Sequence, residues 1–473
     1  MTVPRLLRAI LSVALLLVPF VSDAEPSARE PDVLTLQTVL DSVERSFPLL
    51  KSAELEQAIA QGETLSAEGG FDVSWKTRAT VMPVGYYESV RAESVVEKPT
   101  DLWGISAFAG WKLGAGDFAV YDGKVQTLEF GEARAGINVP LWRNGPIDRR
   151  RANLGRALLG NEIAKLSVAQ QRIEFRRAAS HRYWACVAAG RRAAIAKALL
   201  ENAVARDAAI GERVERGDLA PVEQTDNARA LAQRRAQLAA AERGLEQATI
   251  ELSLFYRGSD GKPKVVDAAV LPKSFPEHRV ADAPNERLNI SNAISRRPEL
   301  PKLQLQLKQN AIEVDWAKNQ LALGIDLQLA GSKGFGEPIA SRPDLSPGRF
   351  EASILIDVPI QTRTMRGKLE SAGASGRRLE LQRDYVRDRI QADVLDARSS
   401  VRRAIDRISA TGEEVALAME LQRAEQERFE HGDSHLFFVN LREQQTAEAE
   451  LRAVESQVDY HRAVADLEAA CGG

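Results

Sequence analysis

The chain has 473 residues, 44% hydrophobic and 27% charged, with a formal net charge of -3. That balance excludes wholesale disorder and lacks the basic excess of a nucleic-acid binder, so no nucleic-acid partner is expected. Two cysteines, Cys186 and Cys471, and five histidines exclude a disulfide-dense scaffold and leave little material for a metal centre.

At the start, Arg5 and Arg8 precede an apolar run, Ala9 to Val18, which Pro19 ends. The run is shorter than the ~20 residues of a spanning helix. Ser22-Asp23-Ala24 then offers small residues at a cleavage site. Residues 1–24 therefore read as an export signal, with a short N-terminal anchor as the alternative. No cysteine follows the run, so no acceptor for a lipid anchor stands there. No later segment reads as a spanning helix, and a β-barrel is the remaining route into a membrane.

A helix is predicted over 36–66, followed by strand-like sequence. In 71–82, Phe71, Val73, Trp75, Ala79 and Val81 alternate with Asp72, Lys76 and Arg78. In 132–141, Ala133, Ala135, Ile137 and Val139 alternate with Glu132 and Arg134. Between them, Trp103 to Trp111 alternates again, which fits either a longer strand or a further hairpin. Residues 147–257 are rich in Ala, Arg, Gln, Glu and Leu, which favours long helices. Leu231, Leu238, Leu245 and Leu252 recur every seven residues, with Ala241, Ala248 and Phe255 at the second seam position. That spacing packs helices as a left-handed coiled coil. The stretch breaks once, at Glu215-Arg216-Gly217-Asp218-Leu219-Ala220-Pro221. Glycine beside a capping aspartate is a helix stop next to a start. The prediction is a long helix 147–215, a tip 216–220 and a return helix 221–257.

A Pro-rich linker, 259–286, leads to a second set of the same elements. A helix over 287–322 precedes a strand hairpin over 325–360. There Ile325, Leu327 and Leu329 alternate with Asp326, and Ala352, Ile354, Ile356 and Val358 with Asp357. A long helix 364–431, a tip 432–435 within Glu430-His431-Gly432-Asp433-Ser434-His435, and a return helix 436–471 follow. Ile137-Asn138-Val139-Pro140-Leu141 echoes Ile356-Asp357-Val358-Pro359-Ile360. The two segments, 25–258 and 287–473, thus read as a tandem duplication with a unit of roughly 220 residues, far longer than a solenoid repeat. The predicted class is α+β, mainly α: long antiparallel helical hairpins plus amphipathic strands.

Helix 147–215 would be ~100 Å long, and 36–66 with 221–257 would match it end to end. The second half repeats this arithmetic. Two short helices in line beside one long helix describe a tube of helices with strands at one end only. One apolar and one charged face per strand suits a barrel wall with lipid outside and water inside. An ordinary hairpin on a soluble domain has the same period; the export signal and the duplication favour the barrel. On that reading Asp72, Lys76, Arg78, Glu132, Arg134, Asp326 and Asp357 line the lumen.

These features together resemble the TolC-like outer-membrane efflux family over nearly the whole exported chain. The resemblance rests on the duplicated element order and on Ile137–Leu141 leading into Gly145-Pro146-Ile147-Asp148-Arg149-Arg150. It rests also on the tip Arg428–Ser434, and on Val439-Asn440-Leu441-Arg442-Glu443 followed by Asp459-Tyr460-His461-Arg462-Ala463. It implies a homotrimer in the outer membrane extending into the periplasm. Four strands per subunit would build a twelve-stranded barrel, and four helical columns per subunit a tunnel. A periplasmic adaptor (membrane fusion) protein would hold the tips, and an inner-membrane pump of RND or ABC type would supply energy. No catalytic activity and no cofactor are implied. The family tip often carries Asp six residues after the glycine; here Glu223 and Phe438 stand there. The runner-up is a soluble periplasmic coiled-coil adaptor or scaffold of an export complex.

Closure and adaptor binding are expected at the tips, at Glu215, Gly217, Asp218, Leu219, Glu430, Gly432, Asp433, Leu436 and Phe437. Leu219, Leu436 and Phe437 fit apolar contacts to a partner and equally packing against neighbouring helices. Arg216-Gly217-Asp218 reads as a chance match to an adhesion tripeptide. His431 and His435 flank a helix-breaking glycine and read as solvated. Cys186 and Cys471 sit at similar heights along their helices, which permits a disulfide, with free thiols as the default expectation.

Overall fold

In chain order the elements are α1 (Leu36–Ser46), α2 (Pro48–Glu68), β1 (Ser74–Met82), β2 (Ser89–Pro99), β3 (Ser106–Gly116), β4 (Glu132–Pro140), α3 (Arg149–Glu215) and α4 (Pro221–Ser253). The second half holds α5 (Glu286–Arg296), α6 (Glu299–Asn319), β5 (Gly324–Gly334), β6 (Gly348–Asp357), α7 (Arg363–Glu430) and α8 (Leu436–Ala470). This computed structural model describes residues 33–119, 125–277, 286–337 and 348–473. The predicted export signal, part of the linker and the tip of the second strand hairpin lie outside them.

The helices expected over 36–66 and 287–322 are each two helices, broken at a proline. Pro48 lacks the N–H that a continuing helix needs, so it opens α2 rather than extending α1. Pro298, at the N-cap of α6, parts that helix from α5. The long helices α3 and α7 run 67 and 68 residues without interruption, each ~100 Å. Helix α3 packs against α2, α4, α6 and α8, while α7 packs against α6 and α8. The columns therefore stand in the order α2/α4, α3, α6/α8, α7, with short helices stacked end to end beside long ones.

The sheet is antiparallel and six-stranded, in the order β1-β2-β3-β4-β5-β6. That is two strands more than the family resemblance implies. The stretch between the first two recognised strands holds an added hairpin, β2–β3. Strand β1 starts at Ser74, because residues 69–71 close α2 with a 3-10 turn. Phe71, Asp72 and Val73 thus precede the sheet. The two halves meet at β4 and β5, where Ile137 pairs with Leu329 and Asn138 with Gln328.

The strand-to-helix turn at Gly145–Arg150 is held by capping. The Asp148 side chain accepts from the Arg151 backbone N–H at 2.9 Å and from its Nε at 2.9 Å. The Arg151 guanidinium donates in turn to the carbonyls of Asn144 and Gly145.

The main core lies at the waist of the helices. Val39, Val43 and Leu50 meet Tyr183, Trp184, Val187 and Leu252 there. Val266 and Leu271, from the segment after α4, pack onto the same cluster. The Leu34 N–H donates to the Val270 carbonyl at 2.9 Å, which ties that segment to the start of the first half. Leu245, Leu252, Ala248 and Phe255 of the heptad seam all join this core.

Candidate functional site

Strand register sorts the sheet into two faces. Paired residues share a face, so Trp75 with Val96, Ala79 with Ala92, and Val81 with Val90 begin an apolar surface. It continues through Val96–Ala109 and Ala92–Leu113, then Ala107–Ile137. It ends on Leu327–Ile354 and Ile325–Ile356. Among the described residues nothing covers this face: Trp75 is 75% exposed and Ile354 64%. Aromatic residues sit at both ends of the strands. Trp103 and Trp142 lie toward the helices; Phe130, Phe335 and Phe350 lie at the far end. Such girdles mark the two interfaces of a bilayer.

The opposite face is charged. Lys76, Arg78, Glu132, Arg134, Asp326 and Asp357 all lie on it, by register with one another across the sheet. Asp72 does not; it sits below β1, at the junction with the helices. Glu93, Glu97 and Lys112, which sequence patterning did not single out, belong to the same face. Lys76 pairs with Glu97 at 3.3 Å and Arg134 with Glu93 at 3.4 Å. Arg143 and Asp357 form an ion pair between the two halves at the foot of the sheet. Asn138, Asp326, Gln328, Arg149 and Asn153 line a concavity of about 720 Å³ where the charged face meets the helices.

At the far end of the helices the two tips share one geometry. Gly217 has φ 82° and Gly432 φ 85°. The Asp218 N–H donates to the Arg213 carbonyl at 2.8 Å, and the Asp433 N–H to that of Arg428 at 2.8 Å. These are Schellman closures, which need the left-handed conformation that glycine adopts freely. The aspartates do not cap the return helices: Ala220 and His435 occupy the N-cap positions. Glu215, Asp218, Glu430 and Asp433 are exposed, and Leu219 is half-buried. Leu436 is not an exposed contact. It is fully buried with Ile210, Phe429 and Val439, where the two hairpins pack together. Phe437, 52% exposed, does face outward, and Phe438 at 46% joins it, their rings edge to face at 5.5 Å.

Above the tips lies a buried ionic knot. The Glu443 carboxylate of α8 accepts from Arg206 of α3 at 2.6 Å and from Arg234 of α4 at 2.8 Å. Glu443 is 6% exposed and Arg234 5%. Arg234 also donates to the Leu199 carbonyl at 3.0 Å, and Asn227 to Asp207 at 2.6 Å. The signal for it was present: Arg234 stands seven residues before Ala241, at the second seam position of the heptad.

At the waist, His461 stacks on Trp184 at 3.8 Å, and burial pushes its pKa down to about 4. Burial pushes the Cys186 thiol up to about 12, and raises that of Cys471. Both cysteines are free and lie in different clusters. Among the described residues there is no group of acidic, His and Cys side chains able to hold a metal, and no helix long and apolar enough to cross a membrane.

No protein-family model matches the sequence, nor does any curated protein. Solved structures do. The chain is similar to the outer membrane protein VceC of Vibrio cholerae with a TM-score of 0.68 and 15% identity, covering 93% of this chain and 96% of that one. It is similar to the outer-membrane channel MtrE of Neisseria gonorrhoeae with a TM-score of 0.64 and 18% identity, covering 93% and 89%. For the outer-membrane channel OprN the TM-score is 0.69 at 14% identity, covering 93% and 90%. The chain has the outer-membrane channel fold. Within that fold the charged face and the two tips occupy opposite ends of the helical columns, the arrangement that the TolC-like resemblance implied.

Proposed function

We propose that the chain is the outer-membrane channel subunit of a tripartite exporter, a passive duct for small molecules or proteins. The observation that carries this reading is the sheet: one continuous uncovered apolar face, one charged face, at one end of ~100 Å helices. A soluble periplasmic adaptor would have to hide Trp75 and Ile354, and none of the described residues lies over them.

Strands β1 and β6 are the open edges of the sheet, and open edges pair with other chains. Three copies joined edge to edge would close a barrel whose wall is wet inside and apolar outside. Lys76, Arg78, Glu132, Arg134, Asp326 and Asp357 would then face the passing cargo. The helical columns would continue the duct into the periplasm, with the waist segment around them. At the tips, the small glycine turns and the outward Phe437 and Phe438 are the surface for an adaptor, through which an RND or ABC pump supplies energy. Sliding of the α7–α8 hairpin past α3–α4 would widen the tip. The chemistry is electrostatic and steric throughout, with no bond made or broken.

Fractionation and reconstitution test the reading together. The expected result is a detergent-resistant trimer in the outer membrane that conducts ions in planar bilayers. Release by osmotic shock, with no conductance, would establish the adaptor reading instead.

A further inference from the structure

The added hairpin β2–β3 has no counterpart in the four-strand pattern that the resemblance implies. We propose that it is membrane wall, so that three subunits of six strands each close an eighteen-stranded barrel as wide as the helical tube beneath it. The proposal rests on the channel reading above and on its three subunits.

Register is the first support. Val90, Ala92 and Val96 of β2, and Ala107, Ala109, Trp111 and Leu113 of β3, fall on the same face as Trp75, Ala79 and Val81 of β1 and Ala133, Ala135 and Ile137 of β4. The apolar surface therefore runs across the hairpin, interrupted on β2 only by Ser94 in mid-strand and Lys98 near its foot. A plug folded into the lumen, or a cap above the membrane, would have no reason to keep that alternation. Both strands have 11 residues, the length that crosses a bilayer at about 45°.

Charge is the second. Arg78, Glu93, Lys112 and Glu132 face one another in successive register pairs across β1, β2, β3 and β4. Signs alternate along the row, and opposite-charge cross-strand pairs stabilise a sheet. Arg134 reaches over β3 to Glu93 at 3.4 Å. Its register partner on β3 is Gly110, where an added carbon would fall 2.9 Å from the Val95 side chain of β2. The inner wall is thus laced through the added hairpin.

Circumference is the third. The helices stand four columns to a subunit, so twelve in the trimer. At about 9–10 Å between axes they span about 108–120 Å around. Eighteen strands at about 4.8 Å spacing and about 40° tilt span about 113 Å. Twelve strands at that tilt reach only about 75 Å, and match the tube only when tilted by about 60°. The extra hairpin lets sheet and tube meet at an ordinary tilt.

Single cysteines read the wall directly, in a background with Cys186→Ala and Cys471→Ser. Glu93→Cys and Lys112→Cys report the polar face of the hairpin; Ala92→Cys and Leu113→Cys report its apolar face. Gln328→Cys and Leu329→Cys on β5 are the controls. In proteoliposomes a charged methanethiosulfonate should label the polar-face positions at least about tenfold faster than the apolar-face ones on all three strands. Alternation on β5 with none on β2 and β3 would overturn the proposal and leave the channel reading standing. Absence of alternation on β5 as well would sink the channel reading itself. Strand counting in cross-sections of the unmodified trimer by electron microscopy is independent of any variant: eighteen supports the proposal, and twelve, or a different number of subunits, refutes it.

Discussion

Replacing Glu443 with alanine should loosen the lower half of the helical columns more than any surface change. The carboxylate is 6% exposed and accepts from two guanidiniums, Arg206 at 2.6 Å and Arg234 at 2.8 Å. Its loss strands two cations of like charge, Arg234 buried and Arg206 16% exposed. Breaking a buried ion pair in this way costs about 3–5 kcal/mol, and about 3 kcal/mol corresponds to roughly 150-fold in a local opening equilibrium. Because Arg206 and Arg234 belong to the α3–α4 hairpin and Glu443 to α8, the weakened contact is the one between hairpins. Hydrogen exchange followed by mass spectrometry should show accelerated exchange in peptides covering 199–210, 227–238 and 436–447. The waist around Trp184 should stay protected. On the proposed opening by sliding of the hairpins, mean conductance in planar bilayers should rise. The triple variant Arg206→Met, Arg234→Met, Glu443→Leu removes all the charges and should regain most of the protection. Unchanged exchange in the alanine variant, or no recovery in the apolar triple variant, would show that stranded charge is not what holds the hairpins.

Four further outcomes are expected. Ile354→Lys places a charge at mid-strand on the uncovered apolar face and should cost about 2–4 kcal/mol of bilayer insertion, measured by folding into lipid vesicles. Gly217→Ala and Gly432→Ala have open space for the added carbon. The left-handed backbone alone should cost each about 1–2 kcal/mol, visible as faster exchange at the altered tip and lower adaptor cross-linking. His461, with a folded pKa of about 4, stays neutral in the native state while the unfolded chain takes up a proton near pH 6.5. Its contribution is intact above pH 6.5 and declines by at most about 3 kcal/mol as pH falls toward 4; His461→Phe should flatten that slope in denaturant titrations at pH 7.5 and 4.5. Non-reducing mass measurement after unfolding should find two alkylatable thiols, while Cys186 resists alkylation in the folded protein.

The helical architecture was legible because its punctuation is local. A glycine that must be left-handed, Gly217 or Gly432, ends a helix whatever surrounds it; the breaks at Pro48 and Pro298, inside the helices expected over 36–66 and 287–322, went unread. Strand number was not legible. In β2, Val95 and Val96 are neighbours, and β3 carries Gly110 and Gly114, so the period-2 signal is diluted and only the pairing partners restore it. Asp72 shows the limit of alternation: its place in the pattern is right for a lumen residue, but a 3-10 turn delays the strand. Leu436 was open between two roles, and its burial comes from Ile210 and Phe429, residues far away in sequence. The outward aromatic pair includes Phe438, which composition alone does not distinguish from its neighbour.

Strand neighbours in the sheet are also neighbours along the chain, with one exception. Between Pro140 of β4 and Gly324 of β5 lie α3, α4, the waist segment, α5 and α6. A loop of that length is entropically expensive to close when slack, yet here it goes down one helix and back up others, so its ends return to the same place. Completion of the sheet is therefore slaved to the helices: until α3 has zipped against α4 and α6, the two strand groups have no means of finding each other. The last part of the sheet to form is then the β4–β5 seam, where Ile137 meets Leu329 and the two halves of the chain become one surface.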